Sequence, residues 1–157
     1  MKVEKEIIST EEVDIKIKEV TLLSVQEYMD NKSLIPQING WWWLKSPGYN
    51  YRTAANVNAN GALNSTDICN ASGGVRPALK VYSLKETKLN PGDKVDLCGL
   101  SWTVLNNNII LCDKTIGNTY FRSEWKLPGA NIFDTSDVKK WTENWAEAQN
   151  IEITTNK

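Results

Sequence analysis

Gly40-Trp41-Trp42-Trp43-Leu44-Lys45-Ser46-Pro47-Gly48, closed by Gly73-Gly74-Val75-Arg76-Pro77-Ala78-Leu79, is the pair of stretches whose reading decides the fold. Successive side chains on a strand point to opposite faces, so Trp41 and Trp43 share one side and Trp42 takes the other. Each indole removes ~150–250 Å² from water when buried, and three in a row make an aromatic wall that can anchor a small core. Between the two stretches the chain carries Tyr, Asn, Ser and Ala with almost no large aliphatics.

Outward from this wall, Val13-Asp14-Ile15-Lys16-Ile17-Lys18 alternates in the period of a half-buried strand, behind a charged and weakly patterned arm over residues 1–12. Ser24-Val25-Gln26-Glu27 reads as a capping box that starts a short helix ending near Asn31. Residues 34–39, with Pro36 inside, form the loop into the tryptophan strand. Segments 54–58 and 62–64 flank Asn60-Gly61, which suits a type I′ hairpin. Residues 75–84 supply another strand, with Pro77 at an edge or an irregularity.

Asn90-Pro91-Gly92-Asp93 opens the second half as a turn. Strands over 94–98, 101–105 and 109–113 follow, joined at Gly99-Leu100 and Asn106-Asn107-Asn108 into a meander. Val138, Trp141, Trp145 and Ala148 recur at helical spacing behind Thr135 or Ser136, which predicts the longest helix over 136–149. Residues 151–154 read as a returning strand. The fold class is α+β, with mixed or antiparallel sheets, one short helix and one longer one.

The tryptophan stretch and the Gly-Gly-Val-Arg-Pro-Ala-Leu stretch resemble bacterial and phage domains with a WWLRSPG…GVRPAL signature. These look like a C-type-lectin-like fold, related to the variable proteins of diversity-generating retroelements and more remotely to formylglycine-generating-enzyme-like domains. The likeness runs from about Leu22 to Tyr82, with Lys45 standing where the family has Arg, and Arg and Lys differ as hydrogen-bonding forks. Residues 92–149, with Gly99 and Trp102-Thr103-Val104-Leu105, resemble the part that precedes the signature in the same family, yet here they follow it. The resemblance therefore implies one C-type-lectin-like domain over 1–157, circularly permuted, with segments 13–84 and 90–154, or halves that complete one another between neighbouring chains. The alternative is a truncated lectin-like module followed by a separate β-plus-helix module.

With 157 residues the chain fits one domain and can bury roughly two-thirds of its unfolded surface. Eighteen basic and 19 acidic residues, mixed along the chain, give a formal charge of −1 and no electrostatic footprint for nucleic acid or an anionic membrane. No apolar run approaches the ~18–20 residues of a membrane helix, so membrane insertion is not expected. Cys69, Cys98 and Cys112 are an odd set without CxxC spacing, which signals neither a disulfide framework nor a zinc site. A cytoplasmic origin fits, and so does cytoplasmic assembly into a phage particle.

An enzyme needs a positioned acid, base, nucleophile or metal. Histidine is absent, no Gly-rich phosphate loop follows a strand, and acidic pairs such as Glu11-Glu12 lie on charged stretches that read as solvated faces. The enzyme branch of the wider resemblance depends on paired reactive cysteines, and the three thiols match no such motif. True C-type lectins hold calcium with carboxylate and amide oxygens. The tripeptides Glu-Pro-Asn and Trp-Asn-Asp do not occur, and Asp67 with Asn64 and Asn70 is a partial set that reads better as turn chemistry. No catalytic residue, metal or cofactor is expected.

Recognition is the stronger expectation. Tyr49, Asn50, Tyr51, Arg52, Asn56, Asn58, Asn60 and Asn64 combine amphipathic rings with adaptable amides, as binding loops do, and the resemblance implies a displayed surface over this interval. Arg76 reads as a structural residue bridging backbone carbonyls. The leading expectation is a non-enzymatic binding or structural module of a phage virion, such as a decoration, tail or host-contact protein. Its partners would be other virion or surface proteins, a host glycan or protein, or further copies of itself. The alternative is a free or cell-associated carbohydrate- or protein-binding receptor.

Overall fold

The computed structural model describes residues 1–5 and 11–155. Among these, twelve strands and two α-helices give an α+β fold. The strands are β1 (Lys2–Lys5), β2 (Glu11–Asp14), β3 (Ile17–Thr21), β4 (Trp42–Pro47), β5 (Ala54–Val57), β6 (Leu63–Asn64), β7 (Gly73–Gly74), β8 (Ala78–Val81), β9 (Lys94–Leu97), β10 (Leu100–Val104), β11 (Ile109–Cys112) and β12 (Asn118–Thr119). The helices are α1 (Val25–Asn31) and α2 (Asp137–Ala148). A seven-stranded sheet runs β2-β1-β9-β10-β11-β8-β3, and a five-stranded sheet runs β12-β7-β4-β5-β6.

The predicted meander forms the centre of the larger sheet, with early strands on both flanks. β9 pairs with β1, and β11 pairs with β8, so strands from both segments share one hydrogen-bonded ladder. The first connection sits one residue earlier than Gly99-Leu100. Cys98 and Gly99 both take positive φ, 59° and 72°, and Leu100 already pairs with Leu97. That is the geometry of a two-residue type I′ turn, whose twist matches the flanking strands. In the next turn Asn107 and Asn108 hold φ of 67° and 60°, a region that asparagine tolerates better than most side chains.

The N-terminal arm is partly a strand. Residues 6–10 of it lie outside the described residues, but β1 pairs along its length with β2 and buries Val3. One buried side chain in a charged tetrapeptide leaves no periodic signal to read. The alternation after Glu12 is real in burial, since Val13, Ile15 and Ile17 are all inside. It spans two strands rather than one, because β2 ends at Asp14, β3 starts at Ile17, and an irregularity falls between Ile17 and Glu19.

The tryptophans divide as the strand period requires. Trp42 meets Tyr28 edge-on at 5.7 Å, within a cluster that includes Leu23, Leu44, Val57, Ile109 and Leu111. On the other side Trp43 contacts Trp41 at 4.9 Å and Phe121 at 5.6 Å, and its indole N–H donates to the Thr119 carbonyl at 2.9 Å. β7 lies parallel to β4, with Gly74 opposite Trp42. A Cβ on Gly73 would stand 2.5 Å from the Trp41 ring and 2.6 Å from Trp43 Nε1, so the absent side chain is what lets the rings close over the backbone.

Three further expectations are corrected. The hairpin is not type I′: Gly61 N–H donates to Asn58 O and Asn58 N–H to Ala62 O, and only Gly61 has positive φ, 87°. A three-residue loop with one left-handed glycine at its end satisfies both strands, so Asn60 keeps ordinary φ while its side chain accepts from Ala62 N–H. The strand expected over 75–84 is only β8, because Pro77 interrupts it and Val75 bonds Gly117 and Ile116 instead. Residues 151–154 give no strand but a single parallel bridge between Ile17 and Ile153.

Both helices start as read. Ser24 accepts from Glu27 N–H while the Glu27 carboxylate accepts from Ser24 N–H, and Ser136 caps α2 by accepting from Lys139 N–H. α2 buries Val138, Thr142 and Ala146, with Trp141 and Trp145 half-buried beside them; Ala148, expected in the stripe, is exposed.

Two outcomes follow from this packing. Fragments 1–84 and 88–157 each lack neighbours for a sheet edge, so circular dichroism should show neither folded alone, and mixing them should restore the native spectrum. Trp43→Ala is expected to lower unfolding free energy by ~3–5 kcal/mol, and Gly73→Ala by ~1–3 kcal/mol, in urea titrations.

Candidate interaction surface

The residues expected to form one recognition surface lie in three places. Tyr49 to Arg52 ride a tight turn in which Gly48 N–H donates to Thr53 O, Thr53 N–H to Asn50 O, and Arg52 N–H to the Asn50 side chain at 2.9 Å. Gly48 is required there, since a Cβ would come within 2.5 Å of Thr53 Oγ1. The turn holds Tyr49 80% exposed and Tyr51 42% exposed. Asn58 and Asn60 sit at the hairpin tip, at the far end of β5, roughly 13 Å away at ~3.3 Å per residue.

Asn56 is fully buried between them, so it is not displayed. Its amide nitrogen donates to Asp67 Oδ2 at 2.9 Å, and Asn64 donates to the same oxygen at 2.8 Å. Amide nitrogens, not oxygens, face the carboxylate, so Asp67 clasps two strands rather than forming a cation cage. Asn70 is exposed and takes no part. Among the described residues no group of three acidic, His or Cys side chains is placed to hold a metal.

A segment that the sequence reading passed over completes the first of these places. Asn131 donates through its amide to Asn50 O at 3.0 Å and Thr53 O at 3.1 Å, while Cys69 N–H bonds Arg52 O and Arg122 N–H bonds Cys69 O. Residues 49–53, 67–69 and 120–132 are thus laced into one end of the molecule. The Arg52 guanidinium lies 5.2 Å from the Tyr51 ring and 5.9 Å from the Trp125 ring, and Lys126 Nζ lies 5.4 Å from the same indole. Arg122 locks the outer loop by donating to Ala130 O and Thr135.

Of the nine large hydrophobics exposed among the described residues, six belong to this end: Tyr49, Tyr51, Ile68, Tyr120, Leu127 and Ile132. Leu127 and Ile132 edge a shallow depression of about 220 Å³ that Glu124 and Arg122 also line. The stretch Arg122–Phe133 has no helical or strand period, which hid it; the signal was a Trp between opposite charges followed by an exposed Leu-Pro-Gly turn.

Elsewhere several buried or half-buried polar groups are engaged in structure. Asp113 accepts from Thr103, Lys94 and Ser101, bonds that outweigh burial and hold its carboxyl below the usual range. Burial pushes all three thiols up, Cys69 to about 11. Arg76 is the carbonyl bridge expected of it, with Nε on Cys112 O at 2.6 Å and Nη2 on Pro36 O at 2.9 Å. Lys45 is half-buried, and burial pushes its ammonium down, with Glu27 opposing that shift.

Comparison with known proteins places residues 5–83, just over half of the chain, in a family described as Domain of unknown function (DUF6273), and the chain belongs to that family. No curated protein and no solved structure matched the chain.

The two kinds of residue in this region should separate in thermal and chemical melts. Replacing Tyr49 and Tyr51 together by Ser is expected to leave unfolding free energy within ~0.5 kcal/mol of the parent. Asp67→Ala strands the buried Asn56 amide and is expected to cost ~1–3 kcal/mol.

Proposed function

We propose that the chain is a non-enzymatic, C-type-lectin-like interaction module that serves in a phage virion as a decoration, tail or host-contact protein, assembled in the bacterial cytoplasm. The observation that carries the interaction reading is the concentration of six exposed hydrophobics with Trp125 and Arg52 on loops tied together by hydrogen bonds. Large apolar patches edged by Tyr, Trp and Arg are the composition of protein interfaces. The phage assignment rests on the WWLRSPG…GVRPAL resemblance. A free or cell-associated receptor is the second reading, favoured by the open Tyr49 ring, which can stack on a ligand.

The non-enzymatic part draws on the thiols, which burial keeps protonated at neutral pH, and on Asp113, whose carboxylate is bound into structural contacts. Density-gradient fractionation and immunogold labelling of particles from a producing culture provide the test. The protein should band with particles and label them. Its consistent absence from particles, with retained binding to host-surface extracts, would transfer the reading to the receptor class.

A further inference from the structure

We infer that a second copy of this chain docks on the end surface, across a two-fold axis close to Trp125, with each copy's Glu124 against the other's Lys126. This rests on the reading of that end as an interaction surface and commits it to one partner. Glu124, Lys126 and Leu127 are exposed, Leu127 at 64%, and Trp125 between the charges is half-buried. Neither Glu124 nor Lys126 forms an ion pair among the described residues, and Arg52, on the other ring contact of Trp125, is likewise without a carboxylate.

The order of the charges selects the partner. A two-fold axis requires each contact to occur twice, with residue i of one copy on residue j of the other and the reverse. Glu124-Trp125-Lys126 meets that condition unaided, because opposite signs flank a single ring. A second copy meets this mixed patch with the same two charges in the opposite order, so each sign finds its complement. Leu127 and Ile132 then supply the apolar area that charges alone do not, and the formal charge of −1 leaves little general repulsion between copies.

Sedimentation equilibrium on the full chain, from about 1 µM to about 1 mM, reads the association directly. The parent should move from 17.7 kDa toward twice that mass as concentration rises. Glu124→Lys places like charges in the contact, as does Lys126→Glu, and each variant should self-associate at least about tenfold more weakly. An equimolar mixture of the two should recover the dimer, because the two positive flanks of Trp125 in E124K meet the two negative flanks in K126E. The double exchange E124K/K126E should recover it within one chain. A parent that stays monomeric throughout, or a dimer indifferent to both single changes, overturns the inference. If such a chain still bands with particles or binds host-surface extracts, the interaction reading stands without it; if it does neither, both fall. Loss in the single variants without recovery in the mixture also overturns the two-fold contact.

Discussion

A buried cation held by carbonyls, with the Asp113 charge nearby but no direct ion pair among the described residues, ties this structure together. Arg76 is 1% exposed, stacks 4.8 Å from the Trp42 ring and donates to carbonyls of Pro36, Cys112 and Asp113. Burial lowers its pKa to about 10, so it remains charged at neutral pH. Because that value lies below the ordinary one, the charge opposes folding until the pH passes about 10, and the bonds must offset the opposition. Hydrogen bonds from a charged donor contribute ~1.5–3 kcal/mol each, and three of them with an indole face can do so. The three carbonyls belong to the loop before the tryptophan strand and to the end of β11, while Arg76 itself sits between β7 of one sheet and β8 of the other. One side chain thereby fixes where the two sheets meet.

The tryptophan strand works from the same point. Trp42 closes a core shared with the larger sheet through Ala78, Ile109 and Leu111, and Trp43 closes another with Phe121, Val75 and Val138 of α2. A single strand thus separates two hydrophobic clusters, and in its neighbour β7 the rings take the room of a Cβ on Gly73, while Thr115 and the Trp41 carbonyl take that of one on Gly74. The end surface inherits its rigidity from the second cluster, since Trp41, Trp125 and Phe133 pack against it at their inner edges.

Local signals were legible in the sequence. The capping box at Ser24, the split of Trp42 from its neighbours, the meander and the Ser136 cap each depend on residues within a few positions of one another, where pattern and chemistry agree. Elements defined by distant partners were not legible. β1 pairs along its length with β2 and at two residues with distant β9 yet offers only Val3 as an apolar signal, and β7 and β12 are pairs of residues whose propensities say nothing. The recognition interval failed for a related reason. Tyr and Asn in composition do not reveal that Asn56 faces inward to Asp67, or that β5 carries Asn58 and Asn60 away from Tyr49. The residues that do join Tyr51 and Arg52 come some seventy positions later, on an aperiodic loop.

The interleaved sheet has a consequence for synthesis. β1 finds its inner neighbour only when β9 has been made, about ninety residues later, and β8 needs β11. At ~5–20 residues per second the ribosome takes roughly 5–20 seconds to deliver that partner. During this interval the early half is a nascent chain whose strand edges and tryptophan wall have no covering layer. A chaperone at the ribosome exit, or codons that pace the stretch between β8 and β9, would act in that window, and the finished fold bears no trace of how long it stayed open.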